Sequence, residues 1–213
     1  MTKPVPSASP LAGLAPASPV QVEAPGILRT SRMTLRPLSA SDREAYLRSV
    51  RVSRAALDAS MTLHRAGETD DQMFDRQLAV LKNEQAAGHC FRCIGILDDG
   101  RIAGGFNLNA ISRGLELKAD IAWWVASDLT GRGLGSEGVA ALVEYSLADL
   151  PSGLGLHQVC AWITSDNAAS IRLAQRVGLR KQGQERSYLQ TGERWAVHDL
   201  FIRHAWDEPL APR

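Results

Sequence analysis

The sequence predicts an α/β chain folded around one mixed sheet of about seven strands, flanked by about four helices, in a single domain over residues 27–213. Three observations carry that expectation. Stretches with strand-like alternation and stretches with helical spacing succeed one another as strand, two helices, three strands, helix, strand, helix, two strands, with no internal repeat. A strand, a helix and another strand follow directly at 116–164, giving a single βαβ unit near the middle. A chain of 213 residues, 45% of them hydrophobic, can also bury a core of ordinary domain size.

Residues 1–26, "MTKPVPSASPLAGLAPASPVQVEAPG", are rich in Pro, Ala and Ser and aperiodic, so a disordered arm is expected. Its prolines interrupt the apolar stretch that a secretory signal needs. "RTSRMTLRPLS" alternates enough for a first strand ending at Pro37. Ser41-Asp42-Arg43-Glu44 has capping-box spacing and starts a helix to about Val52. Thr69-Asp70-Asp71-Gln72 repeats the device, with Phe74, Leu78 and Leu81 on one face and Gly88 beyond the end. "CFRCIGILDDGRIAGGFNLNAI" reads as two strands joined at Asp99-Gly100, and "ELKADIAWWVAS" as a third, rich in aromatics. After a glycine-rich loop and helix, "HQVCAWIT" is a strand. A helix then runs from near Asn167 to Gly178, and a last antiparallel pair spans about Gln184 to Ala205.

Charge excludes some partners. With 24 Lys and Arg against 23 Asp and Glu, a net +1, there is no electrostatic footprint for nucleic acid or an anionic membrane. No apolar run approaches the roughly 18 residues of a membrane helix. Three cysteines, an odd number, argue against a disulfide framework and fit a reducing cytoplasm. Cys90 and Cys93 fall within a strand rather than opening a helix, and Cys160 with scattered histidines supplies no second ligand pair. Ordinary half-buried thiols are expected, and no metal site.

The stretch "DLTGRGLGSEGVAALVEY" packs four glycines into eight residues. Gly133 to Gly138 satisfy G-x-G-x-x-G, but "ASDLT" separates them from the preceding strand and a single further strand–helix pair follows, too little for a dinucleotide-binding half. Val139 after Gly138 rules out a Walker A loop. The physics of an anion cradle survives both failures. Gly131, Gly133 and Gly135 can take positive φ, and Val139, Leu142, Val143, Leu147 and Leu150 mark the buried stripe of a helix whose N–H groups point into the loop. Arg132 adds a cation. The site is of diphosphate size.

These stretches, with "HQVCAWITSDNAASIRLAQRVGLRKQG", resemble the acetyl-coenzyme A site of GNAT N-acetyltransferases, and most nearly the RimJ/RimL-like branch that acetylates ribosomal-protein N-termini. The resemblance runs from about Arg29 to Glu208. Gly133 and Gly135 match the family's Gln/Arg-x-x-Gly-x-Gly/Ala loop, while Thr130 stands at its Gln/Arg position. It implies acetyl-CoA, or another short acyl-CoA, gripped through its pyrophosphate by Thr130, Gly131, Arg132, Gly133, Leu134, Gly135 and Ser136. Backbone groups of Trp124, Val125 and Ala126 and the side chains of Asn167 and Ser170 would hold the pantetheine arm. It also implies that the strands carrying Asp120 and Trp162 splay to admit that arm, with the Val125 N–H as oxyanion donor.

For the chemistry, the pattern Asn-x-x-Ser gives Ser170 the departing thiolate, whereas Ser165, Asp166 and Asn167 serve equally well as helix caps. Asp120 shares a strand face with Ala122 and Trp124 and is a candidate base, or a structural carboxylate. Tyr188, Glu185 and Glu193 in the last hairpin are its rivals. Trp123, Trp124 and Trp162 suit the core, one of them able to wall the acceptor cleft; His157 and His198 could relay protons or be structural. The implied activity is transfer of an acetyl group to a primary amine of a protein N-terminus or lysine by direct attack in a ternary complex. Small amines of the aminoglycoside or polyamine kind, or a non-catalytic acyl-CoA sensor, are the alternatives. A homodimer is compatible with all of these.

Overall fold

The computed structural model describes residues 21–24, 26–61, 63–191 and 194–207, with the backbone alone at 21–24, 186–191 and 194. Among these described residues nine strands form one sheet in the order β1-β2-β3-β4-β5-β6-β7-β9-β8. They are β1 (Gln21–Ala24), β2 (Ile27–Arg29), β3 (Met33–Arg36), β4 (Phe91–Leu97), β5 (Ile102–Ser112), β6 (Lys118–Val125), β7 (Gln158–Thr164), β8 (Arg180–Thr191) and β9 (Arg194–His204). Every neighbouring pair is antiparallel except β6 and β7, the two strands of the βαβ unit. The helices are α1 (Arg43–Val52), α2 (Arg54–Ser60), α3 (Asp70–Val80), α4 (Leu134–Leu147) and α5 (Ala168–Arg176). Of the arm expected over 1–26, residues 21–24 run as the edge strand β1, and 1–20 lie outside the described residues.

The counts exceed the expected seven strands and four helices for local reasons. The first expected strand is two, β2 and β3. Between them the Thr30 N–H donates to the Met33 carbonyl at 2.9 Å and Thr30 Oγ1 accepts from the Met33 amide at 3.0 Å, and this turn reverses the chain. A short 3-10 turn, Ala40–Asp42, precedes α1 and takes the cap in its place; the N-cap of α1 itself is Asp42, with no side-chain cap bond. The capping box joins Ser39 and Asp42 rather than Ser41 and Glu44, and Arg36 fixes Asp42 by a two-pronged contact at 2.7 and 2.8 Å. Helix α2 was not foreseen, because Leu57 is its single buried residue and leaves no period to read. The Thr69–Gln72 box forms as expected, each side chain bonding the other's backbone.

Helix α4 lies against β5 and β6. Val139, Leu142 and Val143 are buried, but the helix ends at Leu147, and Leu150, expected on the stripe, lies beyond it 72% exposed. A Cβ at Gly138 would come within 2.4 Å of the Phe106 ring, so this fourth glycine lets helix and sheet approach. On α1, Tyr46 meets Phe74 and Trp124 edge-on, at 5.7 and 6.1 Å between ring centroids. The three cysteines are buried rather than half-buried, and burial pushes each thiol above its ordinary value. Among the described residues no helix is long and apolar enough to cross a membrane.

Candidate active site

The two parallel strands part company. β6 and β7 pair at Lys118–Gln158, Ala119–Val159 and Asp120–Cys160, and no further, although both strands continue. Beyond that rung a cleft of about 780 Å³ opens, with β6 from Ile121 to Val125 on one side and Trp162, Ile163 and Thr164 of β7 on the other. Amides on a strand point alternately to its two edges. The Ala126 N–H donates to the Ala103 carbonyl at 2.8 Å on the β5 side, so the Val125 N–H points to the edge from which β7 has diverged.

The glycine loop closes one end of this cleft. Gly131 and Gly133 have φ of +75° and +78°, a region where an L side chain is strained, and α4 begins directly after Gly133. Thr130, Gly131, Gly133, Leu134, Gly135 and Ser136 all line the cleft. Gly135 serves differently from expectation. It is helical, and a Cβ there would come 2.9 Å from Leu173 and 3.1 Å from Val125, so its role is close packing of α4 on α5 and β6. Thr130 spends its hydroxyl within the loop, donating to the Ser127 carbonyl at 2.9 Å. Arg132 is exposed and folds back on the Asp128 carbonyl at 3.3 Å.

Asn167 caps α5 by accepting the Ser170 amide at 3.0 Å, and both residues line the cleft. The capping reading of this segment is realised, and both residues also border the opening. Trp124 is buried and Trp162 half-buried, and both border the opening; Ala126, expected with them, is buried and not among the lining residues. Asp120 stands on the last paired rung, opposite Asn109 and Cys160, and is not among the residues lining the cleft. Burial pushes its carboxyl above the ordinary value, against a smaller opposing pull from Lys118. The side chains of Tyr188 and Glu193 lie outside the described residues, and Glu185 is exposed on β8. His157 sits at the far end of β7 against Trp206, 4.1 Å between ring centroids.

Several lining residues were not expected from the sequence. Helix α2 supplies Ala56, Leu57 and Ser60, followed by Met61, as an apolar wall, and α5 supplies Arg172 and Arg176. Arg176 reaches Ser136 at 3.4 Å, which places a guanidinium beside the α4 N-terminus. The stretch "SIRLAQR" does carry a signal for the pair, since its two arginines stand four residues apart, one helical turn. His198, 3% exposed, lies opposite Thr164 on β9 and also lines the cleft. Its Nδ1 is 3.0 Å from the Ala196 carbonyl, which can only accept, so Nδ1 carries a hydrogen.

The sequence model of the acetyltransferase (GNAT) domain matches residues 32–180. The chain belongs to the GNAT acetyltransferase family. Among curated relatives, the "Probable N-acetyltransferase YjcK" of Bacillus subtilis is 28% identical over 103 residues, 48% of this chain and 55% of that protein. The match thus spans little more than half the relative's length. Among solved structures, Mycobacterium smegmatis RimJ in complex with CoA-disulfide superposes with a TM-score of 0.74 at 23% identity, over 83% of this chain and 85% of that one. Spermidine N-acetyltransferase from Vibrio cholerae, in complex with CoA and spermine, gives 0.67 at 15% identity over 83% and 97%. At these identities the likeness is one of fold.

Proposed function

We propose that this chain transfers the acetyl group of acetyl-CoA to the α-amine of a peptide or protein N-terminus, by direct attack with donor and acceptor bound together. The cleft at the β6–β7 split carries the reading. The glycine loop and the α4 N-terminus offer converging amides and a positive dipole end to a diphosphate, with Arg176 and Arg172 beside them. The open strand edges would take the pantetheine arm, and the Val125 N–H is the donor for the tetrahedral oxyanion. RimJ of Mycobacterium smegmatis, the neighbour described above, holds CoA as a disulfide on this same fold.

The lining chemistry favours an N-terminal amine over a polyamine or aminoglycoside. Among the described residues, no Asp or Glu lines the cleft, whereas two arginines do. A polycation selects an acidic wall; with the two arginines at the diphosphate end, the wall left on α2 and β6 is largely apolar and carries no acidic side chain among the described residues. Ser170 donates to the departing thiolate. His198 faces the cleft and Asp120 does not line it, so the reading assigns the amine's proton to His198. Three free thiols fit action in a reducing cytoplasm.

The test is a panel under acetyl-CoA: peptides with small free N-terminal residues, Nα-blocked lysine peptides, spermidine and an aminoglycoside, followed by thiol release and mass spectrometry. Acetylation of the free-terminus peptides is expected. Turnover confined to spermidine or the aminoglycoside would overturn the acceptor class, coenzyme A binding without turnover would leave a sensor, and no binding would overturn the reading entirely.

A further inference from the structure

The β2–β3 turn lies about a hundred residues from the glycine loop in sequence, yet closes on it. Thr30, Ser31 and Arg32 surround one carboxylate, that of Glu137 in the first turn of α4. Glu137 Oε1 accepts from Thr30 Oγ1 at 2.6 Å and from Ser31 Oγ and the Arg32 amide, each at 2.9 Å. Its Oε2 accepts from Arg32 Nε and Nη2, both at 2.6 Å. The remaining arm of the guanidinium, Nη1, donates to the Arg132 carbonyl within the loop at 2.8 Å. A Cβ on Gly133 would sit 3.4 Å from Arg32 Nη2, so the loop passes directly over the guanidinium.

Two physical consequences follow. The peptide between Arg132 and Gly133 is planar and trans, so a carbonyl held toward Arg32 turns the Gly133 N–H the opposite way. Gly133 lines the cleft. The other consequence is electrostatic. A carboxylate in the first turn of α4 suits the helix dipole but repels a diphosphate bound at the same helix end. Burial pushes the Glu137 carboxyl up, yet the bonds from Thr30, Arg32, Ser31 and the Arg32 amide together hold it below its ordinary value, so it is charged. Arg32 supplies the compensating charge at contact distance.

We propose that Arg32 is a positioning residue for the acyl-CoA cofactor: it orients the glycine loop through the Arg132 carbonyl and cancels the Glu137 charge beside the diphosphate. The proposal rests on the cofactor reading above. It gives the β2–β3 turn, which contributes no residue to the cleft lining, a part in donor binding.

Calorimetric titration of coenzyme A into the full chain, with steady-state kinetics, tests it on Arg32→Ala, Arg32→Lys and the double variant Arg32→Ala/Glu137→Gln. Arg32→Ala should weaken coenzyme A binding by about tenfold or more, the scale of one charge-assisted hydrogen bond. The KM for acetyl-CoA should rise with it, and kcat at saturating donor should stay within about twofold. Arg32→Lys keeps the charge and loses the fork, so it should fall between wild type and Arg32→Ala. The double variant removes the exposed carboxylate and should bind better than Arg32→Ala alone. Wild-type affinity in Arg32→Ala, or in Arg32→Lys should the alanine variant not fold, would overturn the proposal, as would a loss in kcat with KM unchanged. A wild-type chain that binds no coenzyme A would instead sink the cofactor reading on which it rests.

Discussion

Replacing Ser170 by alanine separates two roles that share one segment. The α5 cap uses the Ser170 amide and the Asn167 side chain, not the Ser170 hydroxyl, so the cap survives the change. If the hydroxyl serves the departing thiolate, Ser170→Ala lowers kcat on the order of a hundredfold while KM for acetyl-CoA moves far less; equal kinetics would remove Ser170 from the chemistry. His198→Gln in the same assay should also lower kcat, and its deficit should narrow above about pH 8, where a terminal amine sheds its own proton. A deficit independent of pH would make His198 a structural residue. Asn167, Ser170 and the positive-φ pair Gly131 and Gly133 were legible in the sequence because each acts through neighbours a few positions away. His198 could be noted but not placed, and Arg32 gave no signal: what they touch is set by strand pairing and by a turn that meets α4 across the sheet. Asp120 shows the reverse. Its strand and face were readable, but the rung at which β6 and β7 separate was not, and that rung decides whether its carboxylate reaches the cleft.

At the scale of elements, the glycines of the α4 segment divide into a bending pair and a packing pair. Gly131 and Gly133 adopt the left-handed region; Gly135 and Gly138 are helical and stand where a methyl group would strike Leu173 and Val125, or Phe106. Gly138→Ala gains about 1 kcal/mol of helix propensity. It also forces a carbon into a fully buried ring with no room to move, an overpacking that costs typically 1–3 kcal/mol or more. The net expectation is a melting temperature a few degrees lower with coenzyme A affinity little changed, read by thermal denaturation and calorimetry; an unchanged or raised melting temperature would show that α4 can slide on the sheet. Helix α4 could be read beforehand since its stripe is long. Helix α2 offers one buried leucine, and the β2–β3 turn hides inside an alternation that continues on both sides of it, so neither has a pattern that a linear reading can detect.

For the molecule as a whole, the order of elements and the βαβ unit were enough to specify a mixed sheet and the family resemblance, because local periodicity and chain order carry that information. The separation of β6 from β7 is a property of the assembled sheet and has no local signature; only the family resemblance pointed to it. It also has a thermodynamic side. Past the Asp120–Cys160 rung, two interior strands present backbone groups to a gap instead of to each other, leaving the sheet one row short. On the proposed reading, a pantetheine chain lying in that gap would stand in for the missing row and use the hydrogen-bonding groups that folding leaves open there. At a free ligand concentration a hundred times its Kd, occupancy adds about 2.7 kcal/mol to the unfolding free energy. The melting temperature should therefore climb with added coenzyme A. Heat resistance would then track the acyl-donor supply, making durability itself a gauge of the metabolic state around the chain.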